Sequence, residues 1–246
     1  MADSQIEEGQ ACFPGANGDE IHAFFASPSV EVQRPAVIVV HGATGVSDDM
    51  KANALRFARE GYLVAVPDLY SRVESPDLSS LESAMKILGT MADDQVASDL
   101  EGAAEYLKAH PDCNGRVGAI GIGGRYGYLF ASRTHSLDAA VTCYGPLMPT
   151  EIDTPELRPL PPIQMVDTFS CPLLGIFGGA DQNPSPEHVA ELEALMKTHG
   201  KDYEFHSYPH AGHGFLSEGG RNYQPEAAGA AWTDIMAWFK RKLEIS

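Results

Sequence analysis

Residues 36–45 read AVIVVHGATG. Ala36 to Val40 are apolar without alternation, the pattern of a strand covered on both faces. The run stops abruptly at His41, in a loop of small residues. A strand buried in this way belongs to a mostly parallel sheet with helices on both sides, where ligands gather at the carboxyl ends of the strands.

Outward from this stretch the same rhythm recurs. On its amino side, residues 18–26, GDEIHAFFA, alternate enough for a partly exposed antiparallel strand, and the Pro-containing SPSVEVQRP links the two. On its carboxyl side, Met50, Ala54, Leu55, Phe57 and Ala58 fall at helical spacing over 48–60, closed by Gly61. YLVAVPDLY (62–70) predicts a strand and loop, 78–109 a helical stretch, RVGAIGIGG (116–124) a strand entering a glycine turn, and RYGYLFASR (125–133) a helix. AAVTCYG (139–145), PLLGIFGGAD (172–181) and DYEFHSYP (202–209) predict further strands, and 186–200 an amphipathic helix. Residues 227–243 predict a terminal helix with Lys240, Arg241 and Lys242 where its dipole favours cations. The segment 149–162, PTEIDTPELRPLPP, is too proline-dense for regular structure and is expected to cross the top of the sheet, as part of a lid. No repeat or low-complexity linker interrupts the chain, so 1–246 is expected to form one α/β domain with a doubly wound sheet.

The 246 residues are 43% hydrophobic, enough to bury one large core. With 17 Lys and Arg against 34 Asp and Glu, the formal net charge is -17. Such a surface repels phosphate backbones and anionic headgroups, which argues against nucleic acid and membrane as partners. MADSQIEEGQ has neither the basic flank nor the apolar run of a secretory signal, and the expectation is a cytoplasmic protein, monomeric or homodimeric. Cys12, Cys113, Cys143 and Cys171 are widely spaced with no CxxC pair, which argues against a disulfide framework and a structural zinc site. No cofactor or metal is expected.

Taken together, VIVVHGATGV, GYLVAVPDLYSR, RVGAIGIGG, AAVTCYG, GIFGGAD and YPHAGHGF resemble the dienelactone hydrolase family of the α/β-hydrolase superfamily over nearly the whole chain. The resemblance implies hydrolysis of small lactones or esters by a Cys-His-Asp triad. Its thiol would stand on a strand-to-helix elbow of pattern G-x-C-x-G-G, assisted by a glutamate just after the first buried strand. Asp181 and His213 match the acid and base. The elbow here reads Gly121-Ile122-Gly123-Gly124-Arg125, so either Gly123 stands in the nucleophile's place or the nucleophile is deleted, and neither alignment supplies Cys or Ser. Gly42 stands where the resemblance implies the glutamate.

Asp181, at a strand end, suits a carboxylate that fixes an imidazole's tautomer, or a turn aspartate before Gln-Asn-Pro. His213, between small residues on a loop, suits a base or a surface histidine, whereas His210 reads as solvent-facing. His41 either donates to a substrate oxygen or bonds the backbone of its own loop. Amides at Gly42, Ala43, Gly123 and Gly124 can present N–H groups to a carbonyl oxygen without any thiol. Tyr144 lies near the elbow, and Cys143 is either a displaced nucleophile or inert packing. Arg125 either binds a substrate carboxylate, suiting an anionic small molecule, or forms an internal ion pair. His41, His210 and His213 form only a weak metal pattern. Two functions compete. One is an enzyme in which the His213-Asp181 dyad drives hydrolysis, or a lyase or isomerase reaction, without a covalent nucleophile. The other is a non-catalytic protein that keeps the crevice as a binding pocket.

Overall fold

A computed structural model of the chain describes residues 5–243; residues 1–4, the start of MADSQIEEGQ, and 244–246 lie outside the described residues. The described strands form one eight-stranded sheet: β1 (Ile6–Pro14), β2 (Glu20–Pro28), β3 (Arg34–Val40), β4 (Leu63–Pro67), β5 (Cys113–Ile122), β6 (Ala139–Cys143), β7 (Leu173–Gly178) and β8 (Tyr203–Tyr208). Their order is β1-β2-β4-β3-β5-β6-β7-β8. The pairs β1/β2 and β2/β4 are antiparallel, and all the others are parallel.

The hydrophobic run Ala36 to Val40 lies in the interior strand β3, flanked by β4 and β5, and all five residues are buried. Helices cover both faces. On one side α1 (Asp48–Arg59) and α6 (Pro225–Leu243) contribute Phe57, Trp232 and Phe239. On the other, α3 (Asp93–Ala109), α4 (Tyr126–Arg133) and α5 (Pro186–Thr198) contribute Leu100, Phe130 and Leu192. Helix α1 starts where the Ser47 side chain accepts the Met50 N–H, and Asp48 and Asp49 occupy its positive end. Among the described residues no helix is long and apolar enough to cross a membrane.

The structure refines one expectation about the elements and adds a strand. The stretch 78–109 is two helices, α2 (Leu81–Leu88) and α3, because Gly89 closes the first and 90–92 form a turn before the second. Strand β1 was not foreseen; its alternation is masked because Glu7, Glu8, Gly9 and Gln10 all lie exposed at an open sheet edge. At the elbow, β5 and α4 approach so closely that a Cβ on Gly121 would stand 2.6 Å from the Gly127 nitrogen. Glycine is required there by steric contact alone.

Candidate active site

At the carboxyl end of the sheet the loops after β3, β5, β6, β7 and β8 converge. The loop after β7 carries Asp181 and the loop after β8 carries His213; His213 Nδ1 lies 3.0 Å from Asp181 Oδ2. The other oxygen of Asp181 accepts the N–H groups of Gln182 at 2.7 Å and Asn183 at 3.1 Å, so the buried carboxylate is fixed before it meets the imidazole. With Nδ1 donating to Asp181, Nε2 keeps its lone pair. The His213 side chain is 45% exposed, which leaves the ring open to small molecules. Asn222 donates to the His213 carbonyl at 2.8 Å and steadies the loop.

Beside this pair lies a cavity of about 450 Å³, bordered by Gly42, Gly123, Tyr144, His213 and Ser217 and walled by Met50, Leu81 and Met85. Gly123 is the residue after β5, at φ +74, a left-handed conformation that favours glycine. A Cβ at Gly123 would come no closer than 3.5 Å to another atom, the Tyr144 Cε2, so the space an elbow side chain would enter is open. The N–H of Gly123 is spent on the Cys143 carbonyl at 3.1 Å and is therefore removed from the candidate oxyanion donors. The N–H groups of Ala43 and Gly124 donate to no acceptor among the described residues. A Cβ built on Gly124 lies 3.6 Å from the Gly42 Cα, so the two loops abut.

His41 is fully buried and serves the loop. Its Nδ1 donates to the Gly42 carbonyl at 2.7 Å, and its Nε2 accepts the Leu69 N–H at 3.0 Å. Burial lowers its pKa against the raising effects of that carbonyl and of Asp68. Because a peptide's N–H points opposite its C=O, holding the Gly42 carbonyl inward turns the Ala43 N–H the other way. Tyr70 adds a second clamp, donating from its hydroxyl to the Ala43 carbonyl at 2.8 Å.

The remaining expected residues divide. Tyr144 sits at φ +41 with its ring edge-on to His213, centroids 5.2 Å apart, and its buried hydroxyl has no hydrogen-bond partner among the described residues. Cys143 is fully buried, and burial pushes its thiol far up, away from the reactive thiolate. Arg125 faces inward to Asp93 at 2.9 Å, Asp153 at 3.0 Å and the Leu160 carbonyl; of its two expected roles, the structure displays the internal ion pair. Among the described residues no Lys or Arg borders the cavity. His210 is exposed, and His41, His210 and His213 do not gather into a metal-ligating group.

Asp49, Thr150, Asn183 and Ser217 also border the cavity and were missed in the sequence. Only Asp49 carried a signal, standing in the first turn of the helix after HGATG. Ser217 donates to Asp49 Oδ2 at 3.0 Å, forming a polar rim four residues past His213.

The dienelactone hydrolase family model matches residues 21–243. The chain is 32% identical to a candidate 2-oxo-3-(5-oxofuran-2-ylidene)propanoate lactonase of Bradyrhizobium sp, across 92% of this chain and 91% of that one. It is 30% identical to a candidate carboxymethylenebutenolidase of Escherichia coli (strain K12), across 97% and 89%. A crystal structure of a candidate dienelactone hydrolase from Klebsiella pneumoniae superposes with a TM-score of 0.88 at 28% identity, covering 96% of this chain and 98% of that one. By its sequence over these residues and by the sheet and loop arrangement that carries the crevice, the chain belongs to the dienelactone hydrolase family.

Proposed function

We propose that the protein is a hydrolase of a small lactone, ester or related carbonyl compound, working through His213 and Asp181 without a covalent nucleophile. The observation that carries this reading is the intact 3.0 Å Nδ1–Oδ2 contact beside a cavity whose elbow position is held by Gly123. The substrate carbonyl lies against the N–H groups of Ala43 and Gly124. His213 Nε2 takes a proton from water as the water oxygen adds to the carbonyl carbon, and the two amides receive the oxyanion. When the C–O bond breaks, the imidazolium returns its proton to the leaving oxygen, while Asp181 stays ionised and holds the ring. A cavity with Asp49 at its edge and no bordering cation favours an uncharged substrate over an anionic one.

The test is steady-state hydrolysis of a panel of neutral lactones and activated esters by the native protein and His213→Ala. The substitution is expected to lower kcat by about 10²- to 10⁴-fold, the contribution of a general base. Turnover unchanged by His213→Ala would overturn the reading. Tight binding of a lactone with no turnover would establish the non-catalytic alternative.

A further inference from the structure

On the outer face of the edge hairpin, far in sequence from the crevice residues, three ligand-bearing side chains meet. Cys12 in β1 and His22 in β2 are directly opposed Cα partners in the antiparallel register. Glu20 lies two residues before His22 and so projects from the same face. The alternate positions Ala11, Phe13, Ile21 and Ala23 are buried in the core, which fixes the other three outward. Cys12 Sγ is 3.4 Å from His22 Nδ1, and one ligand atom from each of the three residues lies within 4.8 Å of the others. Among the described residues this is the one such group of His, Cys, Asp and Glu.

We propose that Cys12, His22 and Glu20 bind a single borderline divalent metal ion, for which zinc is the best fit, with water completing a tetrahedron. Zinc bonds of about 2.3 Å to sulfur and about 2.0–2.1 Å to imidazole at a tetrahedral angle require an S···N separation of about 3.5–3.6 Å. The 3.4 Å opposition of Cys12 and His22 meets that distance without movement of either strand. Glu20 Oε1 lies 3.9 Å from the other ring nitrogen, Nε2, and reaches an ion on Nδ1 by a side-chain rotation, to which its 71% exposure offers no obstacle. A thiolate, an imidazole and a carboxylate form a donor set suited to zinc and unsuited to magnesium or calcium, which take oxygen ligands. On binding, a zinc–sulfur bond forms, the thiol proton passes to solvent, and coordinated water leaves the ion.

The location gives the site a structural consequence. The His22 N–H donates to Ser71 Oγ at 3.0 Å, and its carbonyl accepts the Asp68 N–H at 2.8 Å. Between these two lie Leu69 and Tyr70, whose N–H and hydroxyl fasten His41 and the Ala43 carbonyl. A metal on His22 therefore braces the hairpin against the turn that supports the crevice.

Cys12 is the one exposed cysteine, Cys113, Cys143 and Cys171 being buried, so a thiol reagent on the native, reduced protein reports it alone. The experiment titrates that thiol with an aromatic disulfide reagent while zinc is added, and measures zinc affinity by competition with a chromophoric chelator. One equivalent of zinc is expected to slow the thiol reaction at least about tenfold and to raise the Tm. Cys12→Ser should abolish the stoichiometric site, and His22→Ala and Glu20→Gln should each weaken it at least about tenfold. All three substitutions are on the surface, and their metal-free Tm values check folding. Retention of one zinc by Cys12→Ser, loss of zinc in His213→Ala instead, or an unprotected thiol at saturating zinc would each overturn the proposal.

Discussion

His41 illustrates how a residue that looks chemical can act through the backbone. Both ring nitrogens are consumed by main-chain groups, Gly42 O and Leu69 N, in a site without water access. Burial dominates and holds its pKa below the ordinary 6.5. The unfolded chain therefore takes up a proton near pH 6.5 while the folded protein resists it to lower pH. This contribution to stability is complete above pH 6.5 and is lost as the pH falls through the window below it. His41→Gln should cost about 1–3 kcal/mol at neutral pH by leaving a buried main-chain group unpaired. The gap between native protein and variant should narrow as the pH falls from 6.5, measured by urea unfolding; a gap independent of pH would show that His41 is not held neutral. The sequence left His41 open between substrate and backbone because nothing in HGATG reveals that the Leu69 amide comes within 3.0 Å of it. Asp181 and His213 were easier to place, since each lies on a loop a few residues past a segment legible as a strand.

Among the elements, the proline-dense segment after β6 depends most on contacts that no local pattern announces. Arg158 is buried, with hydrogen bonds to Asp153 at 2.9 Å, the Met91 carbonyl at 3.4 Å, the Leu88 carbonyl and the Tyr126 hydroxyl. Arg125, from the elbow, shares Asp153 and adds Asp93. Burial raises the pKa of Asp93 against the lowering effect of the arginines around it, whereas at Asp153 burial is outweighed by hydrogen bonds from Thr150 and Arg158, which hold the pKa below its ordinary value. Desolvation offsets part of what the pairing contributes, so the clearest effect of the network is to locate the segment. It ties the excursion over the sheet to the end of α2 and the start of α4. Removing one member is nevertheless expensive: Arg158→Met should destabilise the fold by about 3–5 kcal/mol and expose residues 149–161 to proteolysis. Urea unfolding and limited proteolysis check this, and a loss below about 0.5 kcal/mol with an unchanged cleavage pattern would contradict it. The sequence placed this segment across the top of the sheet from its prolines, but not the ion pairs that tie it to the elbow, because Arg125 lies 32 residues from Asp93 and 28 from Asp153. Cys12 and His22, ten residues apart, were hidden for a different reason: β1 was not foreseen, and their proximity comes from its register with β2 and not from a ligand-spacing motif.

Across the whole molecule, the β-α alternation was legible because a strand covered on both faces leaves an unbroken apolar run, as in β3, β5 and β7. What escaped was the edge, where β1 meets water and loses that signature. The fold brings the His213-Asp181 pair, two loop amides without an acceptor among the described residues and an open cavity to one end of the sheet, and at the elbow it offers Gly123, which has no side-chain atom to carry an acyl group. Hydrolysis here should therefore pass through no covalent state of the chain, whereas a nucleophile would split the reaction into two covalent steps. The measurement that bears on this most directly is intact-mass analysis of the protein acid-quenched during steady-state turnover of a lactone or activated ester, beside Gly123→Cys as the variant able to trap an acyl group. The native protein is expected to keep its unmodified mass at every time point while product accumulates, and Gly123→Cys to gain the mass of the acyl group. An adduct on the native chain that forms and decays at the turnover rate would contradict a dyad acting on water.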